Sequence, residues 1–346
     1  MDTASGQWDT LPILCNVPPY PTGPYHAIEV QIHAFPTGPQ EREPVNPPPS
    51  FTYRKGQTVR IRSAADIAAT LDPDGKLDGL PFMPEMVPFC GTRARIHRHA
   101  DKTCVEGAGF RRLGSTVLLE GLRCDGSAHD RCQRGCQFFW KEAWLCPEDP
   151  ATPDSPFPGG AGAPLAQLPT RRGDRYLCQS TELLAATHPL SRWDLTHFFL
   201  EIRRGELTTP DFLRIFIGTT LDRLRKALGL RKAGALAGQF RKTPKGSLGL
   251  RPGDWVEVLS DAEIQATLDP EGRNRGLAFE PGMSDYAGRR FLVDQRLGRI
   301  ILEETGKMIS LAHTVSLKGV TCQGVCSKNC PRNNVLYWRE SWLKRV

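Results

Sequence analysis

The chain has 346 residues, 39% hydrophobic and 24% charged, with a formal net charge of +7. This is the composition of an ordinary soluble globular protein, long enough for two or three domains. No apolar run reaches the roughly 18 to 20 residues that span a bilayer, which excludes a membrane span.

Residues 1–55 are rich in proline, with Pro18-Pro19, Pro36, Pro39 and Pro47-Pro48-Pro49. Such spacing favours extended or polyproline segments. Within it, Tyr25 to Phe35 alternates Ile28, Val30 and Ile32 with polar residues and predicts one strand, with His26 and His33 as edge or surface histidines. The first residues lack the basic and apolar regions of a signal peptide, so a cytoplasmic location is the default expectation. There disulfides are rare, and clustered cysteines read first as metal ligands and second as catalytic thiols.

A unit begins at Gly56-Gln-Thr-Val-Arg-Ile-Arg-Ser and again at Gly253-Asp-Trp-Val-Glu-Val-Leu-Ser. The alternating Val and Ile predict a half-buried strand. Ser63 with Asp66, and Ser260 with Glu263, fit a capping box that opens a short helix, and Asp-Pro-(Asp/Glu)-Gly ends it. Gly79-Leu-Pro-Phe82 then matches Gly276-Leu-Ala-Phe279, and Phe89-Cys90-Gly91 matches Tyr286-Ala287-Gly288. Second strands are predicted from Thr92 and Arg289, third strands from Ser115 and Thr314. Each third strand delivers the chain to a cysteine cluster, followed by Trp-(Lys/Arg)-Glu-x-Trp-Leu. The copies are spaced about 197 residues apart, a duplication and not a solenoid.

Residues 147–173 read as a Pro/Gly linker. Residues 174–252 read as a helical segment and basic linker. Ser191 is a candidate N-cap, and Pro210 suits a first helical turn. Phe212, Phe216, Leu221, Leu224 and Leu228 lie near one face at helical spacing and predict an amphipathic helix packed on a neighbour. Arg241, Lys242 and Lys245 read as a solvated basic connection. The domain expectation is therefore a Pro-rich segment over 1–55, a first cysteine-cluster β domain over 56–146, the linker and helical insert, and a second such domain over 253–346. The fold class is α+β: two small antiparallel β-barrels, compatible with an SH3-like form, flanking the insert.

The first cluster is Cys124, Cys132 and Cys136, and Cys104 is the expected fourth thiol, with His129 or Cys90 as alternatives. Four thiolates can close a tetrahedral zinc site or hold an iron–sulfur cluster, and zinc is the preferred reading. The second cluster, Cys322, Cys326 and Cys330, has Ala287 and Ile301 where the first copy has Cys90 and Cys104. His313 is its candidate fourth ligand; otherwise a distant thiol such as Cys178 serves, or a position stays open. The Trp140/Trp144 and Trp338/Trp342 pairs are expected to pack over the clusters. Glu142 and Glu340 are expected to accept from an arginine, with Lys141, Arg339 and Lys344 as surface charges. Cys178, at a predicted helix start, reads as a buried structural cysteine, with an activated nucleophile as the competing reading. No phosphate loop, dinucleotide fingerprint, HExxH or GxSxG motif is present.

The repeated G-(D/Q)-x-V…A-T-L-D…G-L-x-F…M units and W-(K/R)-E-x-W-L tails resemble a bacterial family of cysteine-rich proteins with no assigned activity. In it the unit occurs singly or duplicated around a helical insert. The resemblance covers 56–146 and 253–346, and partly the Tyr176-Leu-Cys178-Gln-Ser-Thr-Glu182 stretch. The functional expectation is a metal-binding protein, zinc or iron–sulfur, built as a binding scaffold. The alternative is a metalloenzyme of a biosynthetic pathway, reactive at the incomplete second cluster. Its partner would be a protein or small molecule; the positive charge permits nucleic acid without demanding it.

Overall fold

Val59 and Ile61 alternate with polar residues along strand β1 (Thr58–Ile61), and both are fully buried. The computed structural model describes residues 53–148, 163–191, 194, 196–230, 235–324 and 329–346. The chain divides into Met1–Asn46 and Pro47–Val346. The first unit lies outside the described residues, as do the predicted strand with His26 and His33, and Cys326. Every described element belongs to the second unit.

Helix α1 (Ala64–Ala68) succeeds β1, with Ser63 accepting from the Asp66 amide at 3.1 Å. The chain continues through β2 (Arg93–His99), a hairpin of β3 (Lys102–Val105) and β4 (Gly109–Arg112), then β5 (Thr116–Arg123), β6 (Gln137–Lys141) and β7 (Leu145–Pro147). The sheet order is β6-β5-β2-β1-β7, antiparallel. Then come α2 (Ala163–Ala166), α3 (Gln179–Glu182), α4 (Thr196–Arg203) and α5 (Thr209–Ala227). The second copy runs β8 (Trp255–Val258), α6 (Asp261–Gln265), β9 (Arg290–Arg296), a hairpin of β10 (Arg299–Ile301) and β11 (Met308–Ser310), β12 (Thr314–Thr321), β13 (Val335–Arg339) and β14 (Leu343–Arg345). Its order is β13-β12-β9-β8-β14, the same topology.

The fold is thus mixed α+β, with two curled antiparallel half-barrel sheets and few helices. The register shifts between Ile96 and Arg98 in one copy and between Val293 and Gln295 in the other. A second shift comes after Leu118 and Ser316. Such irregularities bend a strand and increase its twist, so the sheets curl at matching places.

The two cores repeat each other in detail. Phe82 stands edge-on to Trp144 at 5.4 Å and to Trp140 at 6.3 Å; Phe279 stands to Trp342 and Trp338 at the same two distances. Trp144 Nε1 donates to Thr70 Oγ1 at 3.1 Å, and Trp342 Nε1 to Thr267 Oγ1 at 3.0 Å. The two tryptophans of each tail lie on different elements. The first lies on a strand and the second in a turn of 3₁₀ helix, and both reach the core because the chain bends between them.

Lys141 and Arg339 are not the surface charges expected from sequence. Both are buried beneath the sheet end. Lys141 Nζ donates to Asp78 Oδ2 at 2.9 Å and to the Gly114 carbonyl at 3.2 Å. Arg339 donates to the carbonyls of Asn274, Arg275 and Ala312. Lys344 is exposed and pairs with Glu257. Glu340 caps the incoming connection, accepting from the Gly249 amide at 2.9 Å, and not from an arginine.

Part of the predicted linker packs: Leu165 of α2 is buried in the first core. The basic connection also docks. A side chain at Gly238 would meet the Leu268 carbonyl, and one at Gly246 would meet Ser341. Helix α4 starts at Thr196, not at Ser191, and Asp194 accepts from the Thr196 amide. Helix α5 is capped by Thr208 with Pro210 in its first turn. Its apolar stripe is mostly uncovered. Ile215 packs with Phe198 and Leu207, whereas Phe216, Leu221, Leu224 and Leu228 are exposed. Among the described residues no helix is long and apolar enough to cross a membrane.

Candidate metal centre

The first cysteine cluster is a tight loop between two strands of its sheet, and the described residues of the second hold the matching place between β12 and β13. The Cys124 amide donates to the Cys136 carbonyl at 2.8 Å, and the Cys322 amide to the Asn334 carbonyl at 2.7 Å, closing the loop necks. Inside the loops Gly126 and Gly324 have φ of 70° and 71°. A Cβ there would lie 2.1 Å from the Cys132 carbonyl oxygen and 2.3 Å from that of Cys330. Only glycine fits such a position. Gly126→Ala and Gly324→Ala are each expected to cost about 1–3 kcal/mol from backbone strain, measured by urea denaturation; no change in midpoint would refute the fit.

In the first half, Cys124, Cys132, Cys136 and Cys178 line one cavity of about 30 Å³, with Met83, Phe138, Gln179 and Ile301 among its other walls. Cys178 arrives from the residue before α3. Burial, then the neighbouring Cys136, pushes its thiol up to about 11, so the activated-nucleophile reading of Cys178 has no support. Burial, Glu85 and Cys136 likewise push Cys124 up. Cys90 is not among the lining residues; it is buried in the apolar core as a small hydrophobe, pushed up to about 12 by burial.

His129 is taken up elsewhere. Its Nδ1 lies 2.6 Å from Glu85 Oε1 and its Nε2 2.9 Å from the Leu177 carbonyl. Two acceptors on one ring call for both nitrogens to carry protons. Burial opposes the charge, but the hydrogen bond and charge of Glu85 outweigh it and raise the pKa. His129 therefore joins the cysteine loop to the segment that carries Cys178.

Cys104 is placed differently from the sequence expectation. Its Sγ lies 3.1 Å from Cys330 Sγ, and its amide 3.4 Å from the same sulfur. The hydrogen bond with Cys104 outweighs burial and, with the backbone amides of Arg332 and Cys104, holds the Cys330 thiol below its ordinary value, while the thiol of Cys104 is pushed up. The reason is the hairpin β3–β4, which leaves the first sheet and lies on the cysteine loop of the second. The hairpin β10–β11 does the reverse: the Ile301 amide lies 3.3 Å from Cys132 Sγ, and the Gln133 amide donates to the Arg299 carbonyl at 3.0 Å. The halves exchange hairpins.

His313 is not brought to Cys322. It precedes β12, and that strand runs eight residues, Thr314–Thr321, to the cluster. The whole length of that strand therefore separates His313 from the cluster. Cys322 instead borders a second cavity of about 250 Å³, walled by Ile215 and Thr219 of α5 and by Met283 and Leu336.

Between the clusters lies a buried ionic network. Glu303 accepts from Arg332 in a fork, at 2.6 and 3.1 Å, from Ser180 Oγ at 2.7 Å, and from the Glu106 amide at 2.9 Å. Arg134 Nη2 approaches it at 3.3 Å and also pairs with Glu106. Arg332 donates to the Cys104 carbonyl at 2.9 Å, and Arg134 to the Ile301 carbonyl at 3.0 Å, so each loop's arginine grips the hairpin of the opposite half. Sequence reasoning missed both arginines. The available signal was their matching place, two residues after Cys132 and Cys330.

Among the described residues no three His, Cys, Asp or Glu side chains stand close enough together to hold a metal ion as placed. No family model matches the chain, and no curated protein or solved structure matches it.

Proposed function

We propose that the protein is a thiolate metal-binding protein, zinc being the preferred ion, in which the metal consolidates two small barrels of SH3-like type into a non-catalytic binding scaffold. The observation that carries this reading is the convergence of Cys124, Cys132, Cys136 and Cys178 on one small cavity. Its volume is about that of a single water or ion. Four thiols are the donor set of a closed structural zinc site, and they would have to turn inward to reach it. Burial holds Cys124 and Cys178 protonated. A divalent cation supplies the charge that lets such thiols ionise, so metal uptake would release protons. This set replaces Cys104 with Cys178 in the first site. The resemblance to the cysteine-rich bacterial family belongs to the same reading.

The test is elemental analysis with an absorption spectrum on anaerobically purified protein. A colourless protein carrying zinc is expected. Chelation should lower the melting temperature, because a closed site contributes its binding free energy to folding. Brown protein with broad visible absorption would transfer the sites to iron–sulfur chemistry, and metal-free protein of unchanged stability would overturn the reading. The cavity beside Cys322 favours a second reading, a metalloenzyme with a small-molecule site at the second cluster. Loss of one metal in Cys322→Ser with unchanged stability would support it.

A further inference from the structure

We infer that Cys104 of the first half and Cys322 and Cys330 of the second form a composite thiolate site, so that a metal there staples the two halves together. This rests on the metal-binding reading above and assigns its second site. Cys104 and Ile301 hold equivalent places in the two hairpins, 197 positions apart, since Glu106 and Glu303 follow them alike. Because the hairpins are exchanged, Cys104 reaches Cys330 as Ile301 reaches Cys132, with backbone amide to sulfur distances of 3.4 and 3.3 Å. The two positions are the same, but one carries a thiol and the other a hydrocarbon.

A thiol at Cys104 therefore adds a ligand to the second cluster and none to the first. The 3.1 Å separation of Cys104 Sγ and Cys330 Sγ brings two donors together. Cys322 opens the same loop, eight residues before Cys330. The first cavity, having Ile301 in its wall, takes Cys178 from the insert instead. Each cluster thus recruits one thiol from outside its own loop, and for the second cluster that thiol crosses between halves. Arg332, on the Cys104 carbonyl, fixes the crossing hairpin.

The test counts metal in the full chain carrying single and paired substitutions. Wild-type protein should hold about two equivalents of zinc, and Cys104→Ser and Cys178→Ser about one each. The pairs decide the assignment. Cys104→Ser with Cys330→Ser should still hold one equivalent, whereas Cys104→Ser with Cys124→Ser should hold none. If the latter pair keeps one equivalent, Cys104 belongs to the first cluster and the composite site is overturned. If Cys104→Ser keeps both, the thiol is no ligand and the site is likewise overturned. Metal-free wild-type protein would overturn the metal reading itself, a different result from either. Should the variants fail to fold, the wild type gives the answer. Diamide accepts two hydrogens as two thiols join, and the chelated protein should form a Cys104–Cys330 disulfide found by peptide mapping. Zinc-loaded protein should resist this by tenfold or more; equal rates would overturn the site.

Discussion

Glu303→Gln is expected to destabilise the protein by about 3–5 kcal/mol, the cost of leaving a buried charge without its partner. The carboxylate is nearly sealed from solvent between Arg332 and Arg134, which are themselves buried. Burial tends to lower the pKa of each guanidinium, yet both are held above their ordinary value, with Glu303 the leading charge on Arg332 and one of several on Arg134. Neutralising Glu303 leaves Arg332 with no carboxylate on the fork and Arg134 with Glu106 alone. Gln can keep the Glu106 amide and one arginine hydrogen bond, so the loss isolates charge more than shape. The neighbouring exposed Glu304→Gln should change stability by less than about 0.5 kcal/mol. Urea denaturation of both variants measures the difference; a Glu303→Gln loss as small as that of Glu304→Gln would refute the role of the buried charge.

The same group sets an acid limb. Burial tends to raise the pKa of Glu303, but Arg332 and then Arg134 outweigh it, and the folded value lies below the ordinary 4.5. A depressed folded pKa means the unfolded chain takes up its proton first as pH falls. The contribution is complete above the ordinary value and is lost as pH falls through the folded one. Wild-type stability should therefore drop between about pH 5 and the folded pKa, and Glu303→Gln should lose less over that range.

Trp144→Ala and Trp342→Ala are each expected to cost about 3–5 kcal/mol, the range for emptying a large aromatic from a core. Both indoles are fully buried, both stand 5.4 Å from a phenylalanine, and each N–H satisfies a threonine hydroxyl. Removal leaves a cavity and takes a hydrogen bond from Thr70 or Thr267. The informative readout is the number of transitions. Pro47–Val346 is one compact unit, and hairpins, arginines and the bond from the Glu106 amide to Glu303 cross between its halves. Damage to either tryptophan should therefore lower the midpoint of one shared transition. Two separate transitions, only one moving with each substitution, would show that the halves fold alone.

Local sequence carried a large share of this architecture. Alternating Val59 and Ile61, or Val256 and Val258, mark a strand with one buried face, and Ser63 with Asp66 or Ser260 with Glu263 mark a helix start. These signals act over a few residues, so they survive in the linear chain. The duplication was equally legible, because the same local signals recur at one spacing. The cysteine loops were visible as motifs, and Gly126 and Gly324 hold the backbone turns within them.

The partners of those loops were decided by tertiary structure. Nothing near Cys104 in sequence tells whether its hairpin folds onto its own sheet or onto the other half, since that depends on how the two halves face each other. Spacing along the chain groups Cys104 with Cys124, while the fold puts it on Cys330. Lys141 and Arg339 sit beside other charged or polar residues in sequence, yet they are buried because the sheet end offers them oxygen acceptors that no local pattern announces. Cys178 reaches the first cavity with the help of His129, which is held by Glu85 and binds the Leu177 carbonyl. Periodicity determined the strands, the caps and the repeat; the placement of the thiols needed contacts between residues far apart in the chain, and only packing could supply them.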